Sequence, residues 1–245
     1  MRYPLYTGQL ADLPTSQKYL VSCLNQYTYC IAEEDGQFRE ALMNSEVLLP
    51  DGVGIVAAVK FLNGKRIKKI AGADLHLYLL QKLNEAGGRC FYLGSADATL
   101  QKIKERLAVE FPAVQVGVYA PPHVVQFSEA ESAAMVDAVN AFNPDILFIG
   151  MTAPKQEKWA YAHKERLNVR AICCIGAVFD FYAGTVERPS PFMISVGLEW
   201  FGRLVSEPKR LWRRYLYYGP IFLWLLFKEK SFKEKSAKPR KSVRT

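Results

Sequence analysis

The 245-residue chain has no Gly-x-Gly-x-x-Gly segment and no Gly-x-x-x-x-Gly-Lys-Ser/Thr segment. Neither a dinucleotide cofactor nor ATP is therefore suggested. It contains no Asp-x-Asp pair, and its histidines (His76, His123, His163) are scattered. A metal-held nucleotide diphosphate thus lacks its ligands, the histidines read as surface or packing residues, and no cofactor is expected. The five cysteines (Cys23, Cys30, Cys90, Cys173, Cys174) form no Cys-x-x-Cys pair and no zinc spacing. An odd count in mostly apolar contexts reads as reduced thiols in the cytosol. The start lacks a basic, then apolar, then small-residue leader, so export is not expected. The apolar block Ile221–Phe227 falls far short of the ~20 residues needed to span a bilayer.

What is present is half hydrophobic, enough for one domain with a real core and an appendage. Charge is unevenly placed. From Trp200 to Thr245 there are 13 Lys/Arg against 3 Asp/Glu, a net of +10 in a chain of net +8, which leaves −2 for residues 1–199. The basic character belongs to the C-terminal segment and points to a polyanionic partner, either nucleic acid or an anionic membrane surface.

Periodicity predicts strands beginning near Val21, at Glu46–Leu49, Cys90–Leu93, Val114–Tyr119, Asp145–Ile149 and Ala171–Ile175. Helices are expected through Glu34, at Phe38–Met43, from Gly52 to about Leu62, and over Asp74–Ala86, Thr99–Phe111, Glu129–Phe142 and Lys155–Glu165. This alternation implies an α/β, Rossmann-like fold, a mostly parallel sheet with helices on both faces. The expected division is an α/β catalytic domain over 1–190, an amphipathic helical, membrane-associating appendage over 191–227, and a basic disordered tail over 228–245.

Right-handed crossovers put the strand-to-helix loops on one edge, where ligands of open α/β sheets bind. Four loops stand out: Asn25-Gln26, Pro50-Asp51-Gly52, Leu93-Gly94-Ser95, and Gly150 to Gln156. In the second, Asp51 follows a strand, and Gly52 and Gly54 make room for close approach. The plain alternative is that Asp51 is an N-cap. Gly94 and Ser95 open a helix whose N-terminal N–H groups suit a phosphate or diphosphate. Gln156 is placed to turn a carboxamide into the crevice, while Glu157 suits the helix dipole. Asp180, between two phenylalanines, reads as a buried, hydrogen-bonded structural carboxylate, with a site residue as the alternative.

The segment from 191 to 227 differs in kind. Leu198, Phe201, Leu204 and Val205 make an apolar helical face. After Pro208, arginines and Lys209 interleave with Leu211, Trp212, Tyr215 and Leu216, and the block 221–227 follows. Aromatic anchors beside cations are what an interfacial helix uses. A helix packed on the domain with a solvated basic face is the alternative. Base stacking on the aromatics is a third reading, against which the solid apolar block argues. An apolar appendage also leaves self-association into a homo-oligomer open.

Together these segments resemble the WecG/TagA/CpsF family of bacterial glycosyltransferases. The resemblance is carried by Leu49-Pro50-Asp51-Gly52-Val53-Gly54, Ala71-Gly72-Ala73-Asp74-Leu75, Ala153-Pro154-Lys155-Gln156-Glu157-Lys158-Trp159, Gly176-Ala177-Val178-Phe179-Asp180, and Gly197-Leu198-Glu199-Trp200 with Arg203-Leu204 and Glu207-Pro208-Lys209-Arg210. It implies inverting, metal-independent transfer of a sugar, N-acetylmannosamine-type or glucose-type, from a UDP-sugar. The acceptor it implies is a polyprenyl-diphosphate-linked sugar at the cytoplasmic face of the bacterial plasma membrane. It further implies that Asp51 is the general base, with Gln156 and Asn25 beside it. Cys23 stands where the family has Thr, and Lys69 where Arg is usual. Arg203, Arg210 and Arg213 fall on the family arginines thought to reach the diphosphate. The rival reading is a non-enzymatic α/β module whose basic tail binds nucleic acid or membrane.

Overall fold

The structure, a computed structural model, describes residues 1–187, 190, 192–193 and 197–237, with side chains to residue 232. Six strands form one sheet: β1 (Tyr19–Leu24), β2 (Val47–Pro50), β3 (Arg89–Gly94), β4 (Gln115–Tyr119), β5 (Ile146–Gly150) and β6 (Ala171–Cys174). Their spatial order is β2-β1-β6-β5-β3-β4, and every pair is parallel. Five of the strands are short runs that bury both faces, as expected of a sheet covered by helices on both sides, whereas the edge strand β4 is only partly buried.

Alternation divides those side chains between two layers. Val21, Cys90, Tyr92, Ile146, Phe148 and Cys173 join the core under α4 (Gly72–Ala86), α5 (Asp97–Glu110) and the short α8 (Val178–Tyr182). Their neighbours Leu20, Phe91, Leu93, Leu147, Ile149 and Ile172 face α6 (Glu129–Phe142) and α7 (Lys155–His163). Beside that second layer, α1 (Gln26–Glu34), α2 (Gly36–Met43) and α3 (Val53–Asn63) close over Leu24 and Leu48. All six expected strands and all seven expected helices are present within a few residues. Among the described α-helices of the body only α8, a single turn after β6, was not foreseen, because five residues carry no readable period.

The appendage comprises α9 (Glu199–Ser206), α10 (Pro208–Trp212), a π-helical turn (Arg213–Tyr217) and α11 (Tyr218–Ala237). α11 lies on α1. Phe222 and Leu226 are buried in the core beneath it, Tyr29 meets Phe222 edge-on at 5.3 Å, and the Tyr29 hydroxyl donates to Glu229 at 3.0 Å. The opposite faces stay open: Phe201, Val205, Trp212, Leu216, Leu223, Trp224 and Phe227 are all exposed. The expected start of a disordered tail at 228 falls inside α11, which runs unbroken to Ala237. Lys228–Lys235 alternates acid and base well enough to continue a helix that packing has already nucleated. Residues 238–245, and most of the stretch around the expected 190/191 boundary, lie outside the described residues. Among the described residues no helix is long and apolar enough to cross a membrane.

Candidate active site

Because the strands are parallel, all six carboxyl ends open on one edge. A cleft of about 1060 Å³ lies there, walled by the loops after every strand and roofed by Glu199, Arg203, Arg210 and Arg214 of the appendage. The four loops expected to converge do so. The loops after β4 (Ala120 to Phe127) and β6 (Ile175 to Phe181) complete the wall. Cys23, Asn25, Asp51, Ser95, Gly150 and Gln156 all line the cleft.

Asp51 leaves β2 with its backbone N–H donating to Leu24 O at 2.9 Å, across the neighbouring strand β1. It does not cap α3. The N-cap is Gly52, at φ +97°, and no side chain caps that helix. Among the described residues the Asp51 carboxylate has no hydrogen bond. Burial raises its pKa to about 6, Glu199 pushes the same way, and Arg203 and Lys69 pull down. The space beside Gly52 and Gly54 serves a neighbour. A Cβ on Gly54 would meet the Gln26 side chain at 2.6 Å, so Gln26, not a ligand, occupies the opening.

Asn25 caps α1. Its Oδ1 accepts from Thr28 N–H at 3.0 Å, and Thr28 Oγ1 accepts from Asn25 N–H at 2.8 Å. Cys23 lies at the cleft with its thiol pKa pushed up by burial and then by Asp51. Gly94 lines no part of the cleft. Its φ is +120°, and a Cβ there would come within 2.7 Å of Gly150 O, so glycine is required for β3 and β5 to end side by side. Ser95 follows at φ +61°. The helix begins at Asp97, two residues before the expected Thr99, with Ala96 as an N-cap that offers no side-chain acceptor. A Cβ on Gly150 would lie 2.3 Å from the Phe179 ring.

Gln156 and Glu157 form a buried pair at the start of α7, respectively 5% and 1% exposed. Gln156 Oε1 accepts from Met151 N–H at 3.2 Å, and its Nε2 donates to Glu157 Oε1 at 2.8 Å. Burial raises the Glu157 pKa to about 7.

The appendage brings its own charges. Arg203 lies over the Phe181 ring at 4.9 Å. Arg210 pairs with Asp180 of the body at 3.7 Å and with Glu207 of its own segment. Arg214 lies over the Tyr27 ring at 4.7 Å, where burial and the two other arginines lower its pKa. Arg213 is exposed, does not line the cleft, and sits 6.0 Å over Tyr217. The π-helical turn begins at Arg213. A wider turn of this kind re-registers the face that follows it. Lys69 lies outside the main cleft in a smaller adjoining pocket, where it pairs with Glu199 at 2.8 Å. Arg214 was not singled out from the sequence, and Glu157 and Asp180, read there as a dipole partner and a structural acid, also line the cleft.

Of the histidines, His76 is buried, with Nε2 2.6 Å from the Tyr92 hydroxyl, and burial holds its pKa near 3. His163 packs on Trp159. His123 lines the cleft. Among the described residues there is no group of three or more His, Cys, Asp or Glu able to hold a metal ion.

An uncapped carboxylate below three convergent arginines suits acceptor activation opposite an anionic leaving group. The family model for glycosyl transferases of the WecG/TagA/CpsF family matches residues 6–236. The chain belongs to this family. The match runs through the appendage, almost to the end of α11. One relative is the Bacillus subtilis (strain 168) N-acetylglucosaminyldiphosphoundecaprenol N-acetyl-beta-D-mannosaminyltransferase, 28% identical over 222 residues, covering 91% of this chain and 84% of that protein. The protein of the same name from Bacillus spizizenii is 30% identical over 185 residues, 76% and 70% of the two chains. That from Staphylococcus aureus (strain MW2) is 25% identical over 193 residues, 79% and 73%. Like these relatives, this member of the WecG/TagA/CpsF family is a glycosyltransferase.

Proposed function

We propose that this glycosyltransferase moves a sugar, with inversion and without a metal, from a UDP-sugar to a polyprenyl-diphosphate-linked sugar. The names of the relatives favour an N-acetylmannosamine-type donor and an acceptor bearing N-acetylglucosamine; a glucose-type donor is the other candidate. The observation that carries the reading is the pairing of an uncapped Asp51 carboxylate with Arg203, Arg210 and Arg214 across one cleft.

In this reading the acceptor hydroxyl oxygen attacks the anomeric carbon while Asp51 takes its proton. The bond from that carbon to the diphosphate breaks, and its electron pair leaves with UDP. A single displacement of this kind inverts the centre. Asp51 is a carboxylate above about pH 6, close enough to neutrality to act as a base. The departing charge is met by guanidinium groups and by the start of α5. Arg214 takes the place expected for Arg213, because Arg214 is the one facing the cleft.

The enzyme is further proposed to be peripheral on the cytoplasmic face of the plasma membrane. Trp212, Leu216, Trp224 and Phe227 are exposed among Lys209, Arg213 and Lys228, an arrangement that suits anionic lipid better than nucleic acid. The same surface would support a homo-oligomer away from lipid.

Incubation of the chain with UDP-N-acetylmannosamine, or with UDP-glucose, and a short-chain prenyl diphosphate N-acetylglucosamine tests the chemistry. Transfer that persists in EDTA and yields the inverted anomer by NMR is expected. Retention of configuration, or loss of transfer in EDTA restored by a divalent ion, would refute it. Co-sedimentation with anionic vesicles rather than duplex DNA is the corresponding test of the surface.

A further inference from the structure

The Gln156–Glu157 pair contains a buried group that neither the proposed displacement nor the fold requires. Glu157 is 1% exposed, and its Oε2 is buried with no hydrogen-bond partner among the described residues. A carboxylate oxygen in that state costs stability. A residue kept for packing alone would be apolar at such a site, as are its neighbours Trp159 and Ala160.

The other oxygen, Oε1, has a defined task. It accepts from Gln156 Nε2 at 2.8 Å, while Met151 N–H donates to Gln156 Oε1 at 3.2 Å. A backbone N–H only donates, and a carboxylate oxygen when charged only accepts. The two contacts therefore fix which end of the Gln156 amide is which, from opposite sides. A carboxamide has two N–H groups on its nitrogen. One is spent on Glu157, and the second remains for the cleft that Gln156 lines.

We infer that Glu157 is a positioning residue: it sets the Gln156 carboxamide so that one Nε2–H is offered to an oxygen of the bound substrate. This inference rests on the proposed transfer reaction and assigns Glu157 no direct contact with substrate. The orphaned Oε2 is what this arrangement costs the fold. It is tolerated because Oε1 must belong to an acceptor.

A double-mutant cycle tests it. Glu157→Met keeps the approximate bulk and removes the acceptor, whereas Glu157→Gln keeps an acceptor oxygen for Nε2. Glu157→Met and Gln156→Ala are each expected to lower kcat/KM about tenfold, and the double variant no further, because interacting residues are not additive. Glu157→Gln should restore most of the activity. The thermal midpoint of Glu157→Met should not fall, since a buried carboxylate has been removed.

Additive losses would overturn the inference. So would a Glu157→Gln variant as impaired as Glu157→Met, or a Glu157→Met variant that fails to fold. If the unaltered chain transfers no sugar from any nucleotide donor, the reaction itself has been misassigned. If it transfers and the cycle is additive, only the role of Glu157 falls.

Discussion

Replacing Asp51 with asparagine separates a base from a helix cap by two readouts of opposite sign. The folded-state pKa is raised from the ordinary 3.8 to about 6, chiefly by burial. A raised carboxyl pKa means that the folded protein disfavours the charge. Stability from this group is therefore greatest below the unfolded value and is lost as pH rises towards 6. At 1.36 kcal/mol per pKa unit, the charged carboxylate costs up to about 3 kcal/mol above pH 6. Asp51→Asn removes that charge at nearly constant shape. It should raise the thermal midpoint by several degrees at pH 8, given about 2–4 °C per kcal/mol for a chain of this size, and leave it unchanged near pH 3.5. A cap would show no such gain: Asn caps a helix about as well as Asp, and only the charge–dipole part, roughly 0.3–1 kcal/mol, would be lost at pH 8. Transfer should fall by roughly 10²–10⁴, the usual worth of a positioned general base. Scanning fluorimetry at both pH values and mass-spectrometric detection of the glycosylated acceptor make the assay. Wild-type turnover, or a lowered midpoint at pH 8, would refute the reasoning.

Three further outcomes are expected. Activity should decline as pH drops through about 6, where Asp51 takes up its proton; Glu199→Gln removes a charge that raises this pKa, so the limb in a kcat/KM profile should move to lower pH. Arg214→Ala should weaken UDP-sugar binding by roughly 10- to 100-fold in calorimetry, as loss of a charge-assisted hydrogen bond would, while Arg213→Ala should change it little. Trp212→Glu with Trp224→Glu should cut co-sedimentation with anionic vesicles about tenfold or more without altering the circular dichroism.

The sheet was legible because all its strands but the edge strand β4 are apolar runs set between helical periods, and parallel strands buried on both faces announce themselves in that way. The convergence of Asn25, Asp51, Ser95 and Gln156 followed from topology alone, since right-handed crossovers leave one edge for every loop. What escaped depended on packing between distant parts. That Arg214 rather than Arg213 faces the cleft depends on how the appendage packs on the body. The burial of Glu157 cannot be read from its place in a first helical turn, where an exposed acid is equally at home. The pairing of Lys69 with Glu199 joins residues 130 positions apart, and no local pattern encodes it. Gly52 and Gly54 were read as room for close approach beside Asp51, whereas the space at Gly54 is taken by Gln26, the first residue of α1.

The charges that roof the cleft and the side chains that grip the body occupy different stretches of the appendage. Arg203, Arg210 and Arg214 all precede Phe222 and Leu226, the pair wedged into the core by α11. A chain ending just after Tyr217 would still encode every one of those guanidinium groups while losing that wedge. Damage far downstream of the chemistry would then mimic an active-site lesion.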